Sequence, residues 1–111
     1  MENIHPEFEF YRGSTPSLSF SLPLQIDKEK DKVFVTFTQE FEDILELDFG
    51  SGSLDVSGQT LIVSLSQKQT LMLKSGGVDV QIRYALEDGT CDVSDPVYGY
   101  IGYTQKDGEI V

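Results

Sequence analysis

Alternation of apolar and polar residues with a period of two is the feature that most constrains how this chain can fold. In residues 16–22, Leu18, Phe20 and Leu22 occupy one face and three serines occupy the other. Successive side chains of a strand point to opposite faces of its sheet, so this pattern predicts a strand with one buried face. The same alternation predicts strands at residues 32–38, 44–49, 61–65, 78–84 and 97–103, with a shorter edge strand at 7–11. Because Phe34 interrupts the polar face of residues 32–38, we expect that strand to be central.

Turn-forming residues separate these segments. Gly50, Gly52 and Gly58 bracket a short strand at residues 54–56, and Asp88-Gly89 is a strong signal for a tight hairpin. Strands recur about every ten residues with turns between them, which is typical of a sandwich or a barrel. We therefore predict an all-β protein, an antiparallel, immunoglobulin-like β-sandwich of about seven or eight strands.

One segment departs from the alternation. Ser66 is a candidate helix N-cap, and Gly76 and Gly77 follow as a stop signal. We predict at most one short helical segment near residues 67–74, crossing from one sheet to the other.

Size and charge limit the possible partners. The 111 residues weigh 12.4 kDa, which indicates one domain over residues 1–111, with residues 1–6 expected to be loosely ordered. Hydrophobic residues make up 39% of the chain, too many for a disordered protein. The formal net charge of -11 repels phosphates and anionic lipids, so we expect neither a nucleic-acid partner nor a membrane partner.

Cysteine usage and the N-terminus bear on location. The single Cys91 cannot form an intrachain disulfide. The first ten residues have no basic stretch followed by an apolar run, as a signal peptide would, and no apolar run approaches the length of a membrane span. We expect a soluble protein that is made in the cytoplasm.

Residues with catalytic or metal-binding chemistry are few. The only histidine, His5, lies beside a proline near the N-terminus, and Cys91 lies among aspartates, which disfavours a reactive thiolate. The acidic runs at residues 48–55 and 88–95 lack the spacing of a helix–loop–helix calcium site and are explained by turn-forming aspartates. We expect no catalytic residue, no metal and no cofactor.

The segment at residues 97–103 is rich in tyrosine. Tyr98 and Tyr100 project from one face of the predicted strand, and exposed tyrosines are common at protein interfaces. The candidate interface residues are Tyr98, Tyr100, Tyr103, Arg83 and Gln81. The alternative is an aromatic row that covers the sheet, with cross-strand neighbours filling the space above glycines. Arg83 is one of only two arginines, and in so acidic a chain we expect it to form an ion pair.

Several short motifs resemble a known group of proteins. They are Tyr11-Arg-Gly-Ser-Thr-Pro16, Val33-Phe-Val-Thr-Phe-Thr-Gln39, Leu65-Ser-Gln-Lys-Gln-Thr-Leu71 and Val80-Gln-Ile-Arg83. Together, over residues 10–104, they resemble small β-sandwich proteins of prophage structural modules in Firmicutes. More loosely, the Arg-Gly-Ser-Thr-Pro start is similar to the N-terminal domain of phage baseplate upper proteins. The resemblance implies a virion context and no catalytic signature.

The motif residues also have structural interpretations. Gly13 permits a positive backbone angle at a turn, and Pro16 restrains the preceding residue to an extended form. Gln39, Gln67 and Gln81 are expected to pair with backbone groups, since an amide both donates and accepts hydrogen bonds.

Three classes of function follow. The leading hypothesis is a non-enzymatic structural or assembly protein of phage or prophage origin, in a tail or baseplate, whose partners are other virion subunits or further copies of itself. The alternative is a carbohydrate- or ligand-binding module, which requires a concave face or a loop cluster beside the tyrosines, with carboxylates or amides in reach. A carboxylate-dependent hydrolase is third, because no spacing of acidic residues singles out a catalytic pair.

Overall fold

The computed structural model describes residues 6–110, so His5 lies outside the described residues. The strands are β1 (Phe8–Tyr11), β2 (Ser17–Ser21), β3 (Lys32–Gln39), β4 (Glu42–Leu47), β5 (Leu54–Ser57), β6 (Thr60–Ser64), β7 (Gly76–Ala85), β8 (Cys91–Val93) and β9 (Val97–Gly102). A 3-10 turn at Phe49–Ser51 and one α-helix, α1 (Gln67–Met72), complete the described secondary structure. The predicted all-β architecture is confirmed.

Two sheets form the sandwich. The larger has the order β1-β9-β7-β3-β4, with β8 also paired to β7, and the smaller has the order β2-β6-β5. All neighbours are antiparallel except β1 and β9, which are parallel, so the expectation of a purely antiparallel sandwich is corrected at this edge. The strand β3 lies between β7 and β4, which confirms its expected central position.

The described residues contain nine strands, which is one more than the upper end of the prediction. The additional strand, β8, has three residues that are all exposed, so it carries no alternation that could reveal it. Residues 48 and 49 also differ from the prediction, because β4 ends at Leu47. The Asp48 carboxylate accepts a hydrogen bond from the Ser51 amide and starts the 3-10 turn.

The core lies between the two sheets and is built from the apolar faces that the alternation predicts. From the larger sheet, Val35, Phe37 and Val80 are completely buried, and from the smaller sheet Leu61 and Val63 are completely buried. Burial of apolar side chains is the main favourable contribution to folding. The opposite faces of both sheets are therefore left for solvent or partners.

The helix begins where the sequence predicts and ends earlier. The Ser66 hydroxyl accepts from the Gln69 amide, and the Gln69 side chain accepts from the Ser66 amide, which completes a capping box. The helix ends at Met72, and Leu73 is extended and completely buried. Gly76 and Gly77 are therefore the first residues of β7 rather than a helix stop, which corrects that prediction.

The loop between β1 and β2 holds the helix. Gly13 has a φ of +86°, as expected for a glycine at a turn, and its amide donates to the Thr70 hydroxyl over 3.0 Å. The Arg12 guanidinium donates to the carbonyl oxygens of Leu71 and Leu73, each over 2.9 Å, and to the Asp107 carboxylate over 2.8 Å. Arg12 therefore joins the loop, the end of α1 and the C-terminal segment.

All three glutamines named from the sequence pair with backbone groups, which confirms that interpretation. The Gln39 amide donates to the carbonyl of Lys74 and accepts from the Lys74 amide. Gln67 makes the same two-way pairing with the backbone of Ile110, and Gln81 donates to the Ser94 carbonyl over 3.0 Å.

Candidate functional site

The tyrosines of β9 lie on the outer face of the larger sheet. Tyr98 is opposite Asp79 of β7, and Tyr100 is opposite Gly77 of β7 and Glu9 of β1. Tyr11, at the end of β1, is opposite Gly102 on the same face. We call Tyr11, Tyr98 and Tyr100 the tyrosine surface.

The three side chains of this surface differ in exposure. Tyr11 is 67% exposed and Tyr100 is 45% exposed, and both line one shallow groove of about 260 Å³. Tyr98 is half-buried, because its ring lies over Gly77, where an added methyl group would be 2.9 Å from the ring. The alternative interpretation, an aromatic ring that covers a glycine, therefore applies to Tyr98. Tyr100 stays accessible to a partner.

Tyr11 is a member of this surface that sequence reasoning missed. Its strand pairs with β9 in parallel, a contact between residues some ninety positions apart that no local pattern signals. Tyr103, a predicted interface residue, is 70% exposed but follows the end of β9 and is not part of the tyrosine row.

Gln81 and Arg83 lie on the same outer face but line a second feature, a concavity of about 540 Å³. We call it the Arg83 concavity. Its other lining residues include Phe34, Thr36, Thr38, Asp43 and Glu46. The predicted interface residues thus divide between two neighbouring features of one sheet face.

Arg83 forms no ion pair with any carboxylate of residues 6–110, so the predicted ion pair is wrong for this part of the chain. The register explains why. Phe34 of β3 and Val93 of β8 lie directly opposite Arg83, while the carboxylates of the concavity, Asp43 and Glu46, lie on β4, beyond β3. Adjacent strands are about 4.8 Å apart, so two strand spacings separate the backbone of Arg83 from the backbones of Asp43 and Glu46.

The polar groups of the concavity are arranged in a row. Glu46, Thr36 and Gln81 are cross-strand neighbours on β4, β3 and β7. The Asp43 carboxylate accepts from the Thr38 hydroxyl over 3.1 Å, whereas the Glu46 carboxylate and the Thr36 hydroxyl accept no side-chain hydrogen bond from residues 6–110. The face therefore offers carboxylate, hydroxyl, amide and guanidinium groups to a ligand.

Aspartates of the two acidic runs accept hydrogen bonds from backbone amides. Asp48 and Asp55 accept from the amides of Ser51 and Val56. Asp88 accepts from the Thr90 amide over 2.8 Å, and this hydrogen bond lowers the pKa of the Asp88 carboxyl. These contacts support the interpretation of the aspartates as turn-forming residues. No group of three or more acidic, cysteine or histidine residues within residues 6–110 is arranged to hold a metal ion.

One buried tyrosine, Tyr84, has a raised pKa. Burial raises the pKa of the Tyr84 phenol, and the Asp92 carboxylate opposite it on β8 raises that pKa further. Cys91, the neighbour of Asp92, is exposed and has no disulfide partner.

In the part of the chain that the structure describes, no helix has the length and apolar character needed to cross a membrane.

No protein-family model matches the chain, and no curated protein matches it.

Proposed function

We propose that this chain is a non-enzymatic structural or assembly protein of phage or prophage origin that acts through protein–protein contacts. The observation that carries the proposal is the tyrosine surface on the outer face of the larger sheet. The motif resemblance supports the virion context, in a tail or baseplate, and it supports no catalytic role.

The chemistry of the tyrosine surface suits a protein partner. Tyrosine is over-represented among the residues that dominate binding energy, since its ring is rigid and apolar and its hydroxyl forms a hydrogen bond. Tyr11 and Tyr100 expose large rings that line one shallow groove, so a partner can contact both rings at once.

The position of β1 adds to this support. It is the outermost strand of the larger sheet, so one side of its backbone has no partner strand among residues 6–110. An unpaired strand edge is a site where a second chain can add by backbone hydrogen bonding. The tyrosine surface and this edge are adjacent, and a partner can contact both.

Affinity capture from cells with an induced prophage tests the proposal. We expect the wild-type chain to retain a virion subunit, and the Tyr11→Ser/Tyr100→Ser variant to retain at least about tenfold less, the effect of losing one interface hot spot. Val93→Ser is the matched control, because it removes another exposed apolar side chain from the same sheet. Thermal unfolding of each variant checks that the fold is intact.

Two results contradict this proposal. One is capture of virion subunits by the double tyrosine variant at the wild-type level. The other is a wild-type protein that retains no virion subunit at all under conditions where the fold is intact.

The Arg83 concavity favours a second candidate function, the binding of a carbohydrate. Its two carboxylates and one guanidinium present both acceptors and donors, which suits the hydroxyl groups of a neutral sugar. The half-buried Phe34 adds an apolar wall, and a volume of about 540 Å³ is within the range of small-molecule sites.

A glycan array with calcium present, followed by calorimetry on any sugar that binds, tests this second candidate. Arg83→Met and Glu46→Gln are expected to weaken binding about tenfold each, since each removes a charged hydrogen-bonding group. Lys106→Met, a change of charge elsewhere on the surface, is the control. If no sugar on the array binds, carbohydrate binding is rejected as a function.

A further inference from the structure

The turn between β3 and β4 presents a phenylalanine to solvent. Phe41 is fully exposed at the tip of this hairpin, directly before β4. An apolar ring of this size in water is unfavourable, and a fully exposed one at a hairpin tip has no role in the core.

The backbone of the same turn is also unfavourable. Glu40 has a φ of 52° and Phe41 a φ of 66°, and these are the only residues other than glycine with positive φ in residues 6–110. Two-residue hairpin turns with positive φ at both positions favour Asn and Gly, not Glu and Phe. Two local preferences are therefore violated at one residue, which is the pattern expected where function overrides stability.

The other end of the hairpin holds a cavity of about 330 Å³, which we call the base cavity. Its apolar walls are Val33, Phe34 and Phe49, and Lys28, Lys32, Asp31 and Asp48 lie around them. The eight residues of β3 separate the tip from this cavity by about 27 Å at 3.4 Å per residue. Phe41 therefore cannot reach the base cavity of its own chain.

The charges at the two ends are complementary. The carboxylate of Asp31 accepts from the amides of Asp27 and Glu87, so it is directed toward backbone groups. Lys32 forms no ion pair with any of residues 6–110, and neither does Glu42, which follows Phe41 at the tip. At the tip, Glu40 is paired with Lys74 over 3.8 Å, so the free carboxylate beside the apolar ring is that of Glu42. It matches the free lysine at the rim of the apolar cavity.

We infer that Phe41 of one copy inserts into the base cavity of a second copy, with Glu42 beside Lys32. The inference rests on the proposed assembly function and names a partner for it, a second copy of this chain. The two surfaces differ, so the contact is head-to-tail, and it closes into a ring or continues as a filament according to the rotation between copies.

Light scattering over a range of protein concentrations, with thermal unfolding in parallel, tests the inference. The wild-type mass is expected to rise with concentration. Phe41→Gly is expected to stay monomeric while unfolding at the same temperature or higher, because glycine adopts the positive φ without strain. A purely structural role for Phe41 would give the opposite change in stability.

A charge exchange supplies a second, independent measurement. Lys32→Glu and Glu42→Lys are each expected to weaken self-association at low salt, and the double variant is expected to restore it. Lys30→Glu is the matched control, because Lys30 is exposed in the loop directly before β3 but does not line the cavity. Failure of the double variant to restore association overturns the pairing of Glu42 with Lys32.

The two proposals fail separately. A wild-type chain that is monomeric at every concentration, or a Phe41→Gly variant that associates like the wild type, overturns the head-to-tail contact. Tyr100→Ser is expected to keep self-association and lose virion-subunit capture. Loss of capture by the tyrosine variants would still support the proposed function in a monomeric protein.

Discussion

Three glycines of the larger sheet lie beneath aromatic rings of neighbouring strands. Gly77 is covered by Tyr98 and Gly102 by Tyr11, both on the outer face. Gly99 is covered by Phe8 on the inner face, where Phe8 also stacks on Phe10 at a centroid distance of 6.0 Å. At the scale of single residues, a bare backbone position thus allows a ring to pack directly on the sheet.

The inner and outer glycines are expected to respond differently to a methyl group. In Gly99→Ala the new methyl group overlaps the Phe8 ring, which is held by Phe10 and by an edge contact with Phe20. We expect a loss of about 1–3 kcal/mol in the free energy of unfolding, as in other overpacked cores, measured by urea denaturation.

Gly102→Ala is the matched control for this prediction. Its methyl group would lie 2.7 Å from the Tyr11 ring, but that ring is exposed and can turn away, so we expect little change. Phe8→Leu in the Gly99→Ala background is expected to recover part of the loss, because the two sites are in contact. Equal stability of the two alanine variants would contradict the argument.

At the scale of elements, α1 depends on contacts from outside the helix. It has six residues, too few for a helix that is stable alone in water. The Arg12 guanidinium supplies hydrogen bonds to the carbonyls of Leu71 and Leu73, which have no partner within the helix. The loop between β1 and β2 is therefore part of what holds the helix in place.

Removing Arg12 is expected to loosen α1 more than removing Asp107. Arg12→Ala deletes charged hydrogen bonds worth on the order of 2 kcal/mol, and we expect faster amide exchange in α1, measured by hydrogen–deuterium exchange. Asp107→Asn deletes only an exposed ion pair and is expected to leave α1 protected. Unchanged exchange in Arg12→Ala would contradict the prediction.

The contact between Arg12 and Asp107 makes a contribution to the stability of the fold that depends on pH. The hydrogen bond from Arg12 is the largest cause that holds the pKa of the Asp107 carboxyl below its usual range. A carboxyl whose pKa is lower in the folded chain stabilises the fold fully above its unfolded pKa of about 4. This stabilisation is lost as the pH falls through the folded pKa, and Asp107→Asn should remove that part of the acid dependence.

At the scale of the whole molecule, the sandwich leaves two outer faces, and both proposed binding features of the larger sheet lie on one of them. The tyrosine surface occupies the β1–β9 edge, and the Arg83 concavity lies over β4, β3 and β7. The base cavity and the tip of the β3–β4 hairpin lie at opposite ends of this hairpin in the same sheet. A net charge of -11 does not by itself select a partner, so specific contacts must come from such local features.

Local sequence patterns were enough to predict eight of the nine described strands and the direction in which their side chains point. Alternation in β2, β3 and β7 specifies which residues are buried, because a strand has a period of two and needs only local information. The N-cap at Ser66 and the turn at Gly13 were predictable for the same reason, since capping and positive φ are properties of a few neighbouring residues.

Which of these elements meet depends on contacts between residues that are far apart in the chain. The parallel pairing of β1 with β9 brings Tyr11 beside Tyr100, and the order of β4, β3 and β7 separates Arg83 from Glu46. The positive φ of Phe41 breaks the local preference that a sequence pattern uses, so that turn was not predictable either. Strand order depends on the packing of the whole sandwich, because it is stabilised by contacts between residues that are distant in the chain.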